Sequence, residues 1–366
     1  MPTRTNMKSL STAALLVFTT AAALAQSHHY SGPDDSFLPN PVRMVSTVPS
    51  NGDVNPYGVA FINNNFQTGS GPLQHGDILV SNFNNAQNLQ GTGTTIIRVP
   101  KTGAPTTFFQ GQPGLGLTTA LGVLQYGFVL VGNMPTTDGT FATVKPGSLL
   151  VINNQGKLIQ SFSGAGIDGP WDMTLVDDGD RVRVFIANAL NGTVTRLDFD
   201  VSPSAGLYLV STVTVASGYL HRGDPAALVV GPTGLVFDRD RDILYVASTG
   251  DNAVFAVHGA YYASSSPGQG EIVYQDNAHL HGPTAMAMTP NHHLLAASSD
   301  VINVDPNQPS EIVEFTTDGQ FVNELSVDPN LGGSFGLAIH NMADQSTFAA
   351  VDDNTSSLTI WQLNQQ

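Results

Sequence analysis

The amino-acid sequence predicts an all-β protein, a six-bladed β-propeller of four-stranded antiparallel blades whose ring is closed by an N-terminal strand that completes the last blade. Three observations predict this fold. A short Gly/Pro-hydrophobic phrase recurs six times at steps of 50 to 64 residues, a period typical of propeller blades. Further β-rich runs follow each copy. The 37 Gly and 22 Pro among 366 residues, with only 11% charged residues, disfavour exposed helices.

The first 25 residues have the features of a secretory signal peptide. Arg4 and Lys8 precede an apolar stretch that ends in Ala23-Leu24-Ala25, small residues of the kind accepted at a cleavage site. The stretch is too short and too rich in Ala and Thr for a stable membrane span. We therefore expect cleavage after Ala25 and a secreted or periplasmic protein, with a flexible leader over residues 26–40 and one propeller domain over 41–366.

The charge balance restricts the classes of partner. With 13 Lys+Arg against 29 Asp+Glu, the formal net charge is −16 at pH 7, and no long basic run is available to neutralise phosphates. Nucleic acid and anionic membrane surfaces are therefore not expected as partners. The absence of cysteine excludes disulfides, thiolate nucleophiles and Cys-based metal sites. A closed ring leaves no gap between its first and last blades, so a monomer is expected.

The repeated phrase predicts the innermost strand of each blade. Its six copies are Asn55–Phe61, Ala120–Leu124, Gly169–Leu175, Gly231–Phe237, Gly282–Met288 and Gly333–Ile339. The hydrophobic run after the next turn predicts the second strand, namely Asp77–Asn82, Phe128–Asn133, Val184–Asn188, Leu244–Ser248, Leu294–Ser298 and Phe348–Asp352. Alternating runs such as Thr193–Leu197 and Leu158–Phe162 supply third and fourth strands.

The last blade has too little chain for four strands of its own. The sequence ends soon after its third strand, Leu358–Leu363, so an outer strand must come from elsewhere. We expect Val42–Thr47 to be that strand. Such a closure joins the two ends of the chain and removes the gap that would otherwise separate the first and last blades.

The repeat resembles that of a known superfamily. Pro-x-Gly-hydrophobic, a hydrophobic strand and then a polar turn of the type Thr249-Gly250-Asp251-Asn252 before Ala253–Val257 are similar to the NHL-repeat and gluconolactonase-like six-bladed β-propellers. The resemblance covers about residues 42 to 363. It implies the architecture and leaves the activity open, because this fold includes hydrolases, lyases, sugar lactonases and binding modules.

Two rings of side chains are predicted at one mouth of the central channel, where the innermost strands begin and the second strands end. The second strands contribute Asn82, Asn133, Asn188, Ser248, Ser298 and Asp352. The repeated phrase contributes Tyr57, Leu121, Trp171, Thr233, Thr284 and Phe335. The predicted ligand-binding residues are Tyr57, Trp171, Phe335, Asn82, Asn133 and Asn188. Long loops on the same face are typical of a binding surface.

Oxygen-bearing side chains at this mouth predict a calcium site, because calcium takes about 6 to 8 oxygen ligands. The proposed ligands are Asp172 and Asp352, supported by Asn133 and Asn188. The resemblance implies a family metal site built from an Asn directly after the Pro of one blade and an Asp at the end of a second strand. Here Tyr57, Thr233 and Ser248 stand at such positions. In the alternative, these polar residues only line the channel and satisfy strand ends.

Histidines offer a zinc site instead of calcium. His221, His279 and His281 lie in two loops that lead into adjacent inner strands on the mouth side. Three imidazoles can hold zinc and leave one position for water. The segment from His281 to Thr284 loosely resembles the metal loops of the peptidylglycine amidating-lyase propellers. However, two histidines one residue apart on an extended chain face opposite sides. Glu311, which begins a strand, is expected to face solvent.

Two functions fit these observations best, and a structural module of an envelope or surface assembly is a third possibility. The first is binding of an unidentified small-molecule ligand or protein at the channel mouth, without chemistry. The alternative is a metal-dependent hydrolase, lactonase or lyase, in which calcium or zinc polarises a carbonyl or activates water and Asp172, Asp352 or His281 moves the proton. The sequence has no nucleophile elbow, phosphate-binding loop or zinc-protease helix motif. It therefore leaves open whether the protein is an enzyme.

Overall fold

A computed structural model describes residues 35–39, 43–341 and 345–364. These residues form six four-stranded antiparallel sheets, one two-stranded hairpin and a single short 3-10 turn, Phe141–Thr143. The first strands of neighbouring sheets contact one another in cyclic order and surround a central channel. The predicted all-β, six-bladed propeller is confirmed. Within these residues no helix is long and apolar enough to cross a membrane.

Blades 1 to 3 are consecutive along the chain, and each sheet keeps its strands in sequence order. Blade 1 contains β2 (Val54–Phe61), β3 (Ile78–Asn84), β4 (Thr95–Val99) and β5 (Thr106–Gln110). Blade 2 contains β6 (Leu117–Leu124), β7 (Phe128–Asn133), β8 (Ser148–Asn153) and β9 (Leu158–Phe162). Blade 3 contains β10 (Pro170–Asp177), β11 (Arg181–Asn188), β12 (Thr193–Ser202) and β13 (Gly206–Ser217).

Blades 4 and 5 follow the same order after a separate hairpin. The hairpin pairs β14 (Arg222–Asp224) with β15 (Leu228–Val230). Blade 4 contains β16 (Pro232–Asp238), β17 (Ile243–Ser248), β18 (Ala253–His258) and β19 (Glu271–Tyr274). Blade 5 contains β20 (Pro283–Met288), β21 (His293–Ser298), β22 (Glu311–Thr316) and β23 (Phe321–Ser326).

Blade 6 is made from both ends of the chain. Its first three strands are β24 (Ser334–Asn341), β25 (Gln345–Asp352) and β26 (Ser357–Asn364), and its outer strand is β1 (Arg43–Ser46). Strand β1 pairs antiparallel with β26, with Val45 opposite Leu358. The predicted closure of the ring by the N-terminal strand is therefore confirmed.

Residues 35–39, part of the predicted leader, pack against blades 5 and 6. Phe37 is 1% exposed and meets Phe348 edge-on, with ring centroids 5.8 Å apart. The buried Glu314 carboxylate accepts hydrogen bonds from the backbone amides of Phe37 and Leu38. A carboxylate that accepts several amides holds a chain segment firmly in place. The predicted signal peptide and residues 26–34 lie outside the described residues.

In every blade, a residue near the start of the first strand pairs with a residue at or near the end of the second strand. These pairs all lie at the same edge of the ring, and we call this edge the mouth. The six pairs are Pro56 with Asn82, Leu117 with Asn133, Pro170 with Asn188, Pro232 with Ser248, Pro283 with Ser298 and Ser334 with Asp352. The strand register shifts directly after each pair, as at a β-bulge. The next residue of the first strand is thereby freed from the ladder.

In blade 2 the repeat begins three residues earlier than the sequence predicted. Leu117 pairs with Asn133 where Ala120 was expected, and Leu121 pairs with Val131 farther along the strand. The residue at the mouth is therefore Thr118 and not Leu121. The phrase in this blade lacks the Pro that marks four of the other copies, and the wider register shift adds residues that no local pattern reveals.

Threonines in the freed position link neighbouring blades. The hydroxyl of Thr118 donates to the carbonyl of Pro170 at 2.6 Å, and that of Thr233 donates to the carbonyl of Pro283 at 2.8 Å. Both threonines are nearly inaccessible to solvent. Buried carbonyls at strand ends need such donors, and here the donor comes from the preceding blade.

The apolar core consists of six clusters of described residues, one between each pair of adjacent blades. The cluster between blades 6 and 1 is the one that continues to the mouth, where it includes Tyr57 and Phe335. Packing of this kind makes each blade depend on both neighbours and holds the loops at the mouth in fixed positions.

Candidate functional site

Four aromatic side chains fill the mouth end of the central channel. Tyr57 stacks on Phe335 with ring centroids 4.2 Å apart and on Phe83 at 4.7 Å, and Trp171 lies 5.7 Å from Tyr57. All four are buried. Tyr57, Trp171 and Phe335 occupy the freed position of blades 1, 3 and 6, while threonine occupies it in blades 2, 4 and 5. We call this group the aromatic plug.

Loops from several blades cover the aromatic plug. Met134, Leu228 and Val229 belong to the same apolar cluster as the four rings. Leu228 has a φ of 65°, a left-handed conformation that is strained for a leucine. The Gln90 side chain donates to the carbonyl of Ala226 at 2.8 Å and so joins the blade 1 loop to the hairpin of β14 and β15. The predicted elaboration of the mouth by loops thus takes the form of a cap.

A cavity of about 250 Å³ remains between the aromatic plug and this cap, and we call it the mouth cavity. Tyr57 and Phe335 supply its aromatic wall. Its other lining residues are Asn55, Gln90, Ala226, Ala227, Ser299, Asp300, Val301, Leu331, Gly332 and Asp353. Asn55 has a φ of 58°, a conformation that asparagine tolerates better than most residues.

Asp353 is the electrostatically unusual residue of the mouth cavity. Burial, together with the neighbouring carboxylate of Asp352, raises the pKa of Asp353 to about 8. Its Oδ1 is buried and has no hydrogen-bond partner among the described residues. Burial also raises the pKa of Tyr57 well above its ordinary value, and the charge of Asp353 adds to that shift. Stacked aromatic rings and a carboxyl group with one unpartnered oxygen therefore line the same cavity.

Asp172 lies in a second cavity, in the channel itself. This space of about 270 Å³ is lined by first-strand residues of all six blades, most of them apolar. The backbone amide of Leu235 donates to Oδ2 of Asp172 at 2.8 Å, yet burial still raises the pKa of Asp172 to about 7. The lining of the mouth cavity and that of the channel cavity have no residue in common.

The predicted asparagines hold strand ends together. Asn188 donates to the carbonyl of Gly166 and to the hydroxyls of Thr193 and Thr195, and its Oδ1 accepts from the amide of Asp168. Asn133 likewise donates to a backbone carbonyl and accepts from Ser148. Asn82 donates to the carbonyl of Thr47 and to Thr95. None of the three lines the mouth cavity or the channel cavity.

Asp352 and Asp172 are not brought together. Asp352 accepts from the hydroxyl of Thr355, and its pKa is raised by burial and, to a smaller extent, by Asp328. It lines neither cavity. The positions at which the family resemblance implies metal ligands are also occupied by other contacts, since Thr233 bonds to Thr249 and Ser248 to Asp251. These residues do not fit a calcium site of the kind that the resemblance implies.

The three predicted histidines lie in different surroundings. His221 is exposed and contacts the carbonyl of Tyr219 at 3.0 Å. His279 contacts Asp276 at 2.5 Å and stacks on Phe321. His281 is fully buried, and its Nδ1 lies 2.9 Å from Oε1 of Glu311.

His281 belongs to a cluster with Asp300 and Glu311, two residues that were not among the predicted ligands. Each of the three offers one possible ligand atom, and these atoms all lie within 4.8 Å of one another. Among residues 35–39, 43–341 and 345–364, this is the one group of three or more His, Asp or Glu side chains with that property. The expectation that Glu311 faces solvent is wrong, because its side chain is 0% exposed.

Comparisons with known proteins concern the fold. A scan against protein-family models and a search of curated proteins found no match. Among solved structures, a calcium-binding protein, regucalcin, from Agrobacterium tumefaciens is similar at a TM-score of 0.51 and 13% identity, covering 88% of this chain and 93% of that one. A luciferin-regenerating enzyme is similar at a TM-score of 0.49 and 10% identity, and the match covers 88% of this chain and 95% of that one. Virginiamycin B lyase from Staphylococcus aureus is similar at a TM-score of 0.47 and 13% identity, and the match covers 87% of this chain and 98% of that one.

Identities this low establish a shared fold and no shared activity. The repeat of the sequence, the six closed blades and the similarity to the regucalcin structure agree with one another. The chain is therefore a six-bladed β-propeller, similar in fold to the regucalcin structure.

Proposed function

We propose that this propeller binds a small ligand with an ammonium or similar cationic group in the mouth cavity. The observation that carries the proposal is the unpartnered Oδ1 atom of Asp353 in the cavity whose aromatic wall is the stacked pair Tyr57 and Phe335. A cation within about 6 Å of an aromatic face is attracted to it, and a buried acid adds a charge partner. The volume of about 250 Å³ suits a ligand smaller than a drug-sized molecule, whose pockets span about 300–1,000 Å³.

The raised pKa of Asp353 supports a cationic ligand and predicts that binding releases a proton. With a pKa of about 8, the carboxyl group keeps its proton at pH 7 when no charge partner is present. A cation close to it favours the ionised form and lowers the pKa. Binding at pH 7 should therefore release close to one proton per ligand, and it should strengthen as the pH rises toward 8.

The experiment is calorimetric titration of the purified protein with choline and ethanolamine in two buffers of different ionisation enthalpy. We expect one site per chain and a net proton release, while the neutral carbon isostere of choline binds at least about 10-fold more weakly because it lacks the charge. Asp353→Asn should remove both the binding and the proton release. Asp318→Asn, in the turn between β22 and β23 on the opposite face, is the matched control and should bind as the native protein does.

The outcome can contradict the proposal in two ways. Equal binding of choline and its neutral isostere would show that charge plays no part. Failure of both ammonium compounds to bind, together with capture of a protein at the mouth that survives Asp353→Asn, would replace the small cation with a protein partner.

The alternative of a metal-dependent hydrolase, lactonase or lyase that uses Asp172, Asp352, Asn133 and Asn188 has less support. The amide groups of the two asparagines are engaged within their blades, and the described contacts include none between Asp172 and Asp352. A screen of lactones and esters with and without added calcium would test it directly. Calcium-dependent turnover that is lost in Asp172→Asn would establish it.

We also propose that the protein acts outside the cytoplasm as a monomer, with residues 1–25 as a cleaved signal peptide. The support is the order of features in this segment, in which basic residues are followed by an apolar stretch and then by small residues. Intact-mass analysis of protein recovered from culture medium or periplasm tests the cleavage after Ala25, and sedimentation tests the monomer. An uncleaved chain that stays in the cytoplasm would contradict the secretion.

A further inference from the structure

We propose that His281, Asp300 and Glu311 form a binding site for a divalent transition-metal ion beside the mouth cavity. The three residues come from one blade and meet because of its topology. His281 precedes β20, Asp300 follows β21 and Glu311 is the first residue of β22. All three positions lie at the mouth edge of blade 5, and Asp300 also lines the mouth cavity.

Each residue of the cluster has a buried polar atom without a hydrogen-bond partner among the described residues. His281, Asp300 and Glu311 are 0%, 6% and 0% exposed. Yet Nε2 of His281, Oδ1 of Asp300 and Oε2 of Glu311 are all buried without a hydrogen-bond partner among the described residues. Buried polar atoms are satisfied in the large majority of cases, so three exceptions in one cluster call for a specific explanation.

The remaining atoms of the same side chains are held in place. The backbone amides of Ser310 and Gly332 both donate to Oδ2 of Asp300 at 2.8 Å. Nδ1 of His281 and Oε1 of Glu311 are 2.9 Å apart. Contacts of this kind orient a ligand side chain and leave another of its atoms for an ion.

Charge favours a divalent cation at this position. Two carboxylates and one imidazole are buried side by side, and unpaired buried charges are costly. A proton shared by Glu311 and Asp300 would satisfy the pair without metal, whereas a divalent ion would neutralise both carboxylates and occupy the free atoms of all three residues.

The ligand types select the class of metal. Imidazole favours zinc and its neighbours in the first transition row, and carboxylates also bind these ions. Calcium is disfavoured because it takes about 6 to 8 oxygen ligands. Three protein ligands leave a coordination position for water or for a molecule in the adjoining cavity. This inference does not depend on the proposed binding of an ammonium ligand.

The test is titration of chelator-treated, full-length protein with zinc chloride, followed by calorimetry, with calcium chloride as the control ion. We expect one zinc per chain, a higher melting temperature with zinc and no effect of calcium. Asp300→Asn and Glu311→Gln should each weaken zinc binding at least about 10-fold, since even the loss of an outer-shell partner costs about 10–100-fold. Asp300→Asn can keep both backbone hydrogen bonds, so it should still fold.

His279→Gln is the matched control, because His279 is two residues from His281 but contacts Asp276 and Phe321 instead of the cluster. It should bind zinc as tightly as the native protein. The site is refuted if native protein takes up no stoichiometric zinc, or if zinc binding is unchanged in Asp300→Asn and Glu311→Gln. Asp353→Asn should retain zinc, which separates a failure of this site from a failure of ammonium binding.

Discussion

Asp172 places an ionisable group in a channel whose walls are mostly apolar. Its folded-state pKa of about 7 lies above the value of about 3.9 expected in the unfolded chain. The folded protein therefore holds a proton that the unfolded chain has lost between these two pH values. The contribution of Asp172 to stability is complete below pH 4 and declines as the pH rises toward 7, at up to about 1.4 kcal/mol per pH unit.

Asp172→Asn should remove this decline. Asparagine can still accept the hydrogen bond from Leu235 and has no charge to bury. The free energy of unfolding of the variant, relative to native protein, should rise by about 2 kcal/mol between pH 5 and pH 7 and level off at higher pH. Urea denaturation at each pH measures it. Thr174→Ser, a neutral change in the same channel, is the control, and parallel pH curves for native protein and Asp172→Asn would contradict the assignment.

Single residues of the site were predictable only where a repeat identified them. Tyr57, Trp171 and Phe335 were predicted at the mouth because each follows the start of a repeated phrase, and they do lie together in the aromatic plug. Asp300 and Asp353 lie just after the second strands of blades 5 and 6, where no repeat marks them. Glu311 looks like an exposed strand start in the sequence, and only the packing of blade 5 buries it.

At the scale of elements, residues 35–39 pack against blades 5 and 6 and stabilise the contact between them. Phe37 belongs to the apolar cluster between these blades, and Glu314 holds the backbone of the segment. Phe37→Ala should therefore reduce the free energy of unfolding by about 3–5 kcal/mol. Chemical denaturation measures the loss.

Met44→Ala in β1 is the comparison for this prediction. The Met44 side chain is 56% exposed, and exposed substitutions change stability by no more than about 0.5 kcal/mol. Similar denaturation midpoints for Phe37→Ala and Met44→Ala would mean that the contact between Phe37 and the blades contributes little in solution.

Element positions followed from the sequence in blades 3, 4 and 5, where a Pro begins the inner strand, and failed in blade 2. The first strands of blades 3, 4 and 5 begin at Pro170, Pro232 and Pro283, as the phrase predicted. Blade 2 lacks this marker and begins at Leu117. The packing of Phe37 was missed because a lone aromatic in a polar stretch has no periodic neighbours to place it.

At the scale of the whole molecule, ring closure makes the N-terminus part of the last blade. Without β1, strand β26 would be an open edge beside the first blade. Deletion of residues 1–47 should therefore lower the melting temperature by more than deletion of residues 1–39, which removes Phe37 but keeps β1, and should favour aggregation. Differential scanning calorimetry compares the two truncations, and equal melting temperatures would argue against closure as a source of stability.

The global fold was accessible from the sequence because a propeller repeats its pattern once per blade. The site was not, because it arises from differences among blades, such as the loops that form the cap and the acids in blades 5 and 6. Residues that occur in only one blade are not marked by the repeat. Which residues they contact depends on loops that are distant in sequence.

The register shift beside each mouth-edge pair also bears on how such proteins diverge. It frees one side chain per blade from the hydrogen-bonded ladder, while paired residues on both sides keep the strand in place. Threonine at this position fastens two blades together, and an aromatic residue closes the channel. A lineage can therefore exchange these side chains one blade at a time and acquire a new binding specificity without rebuilding its scaffold.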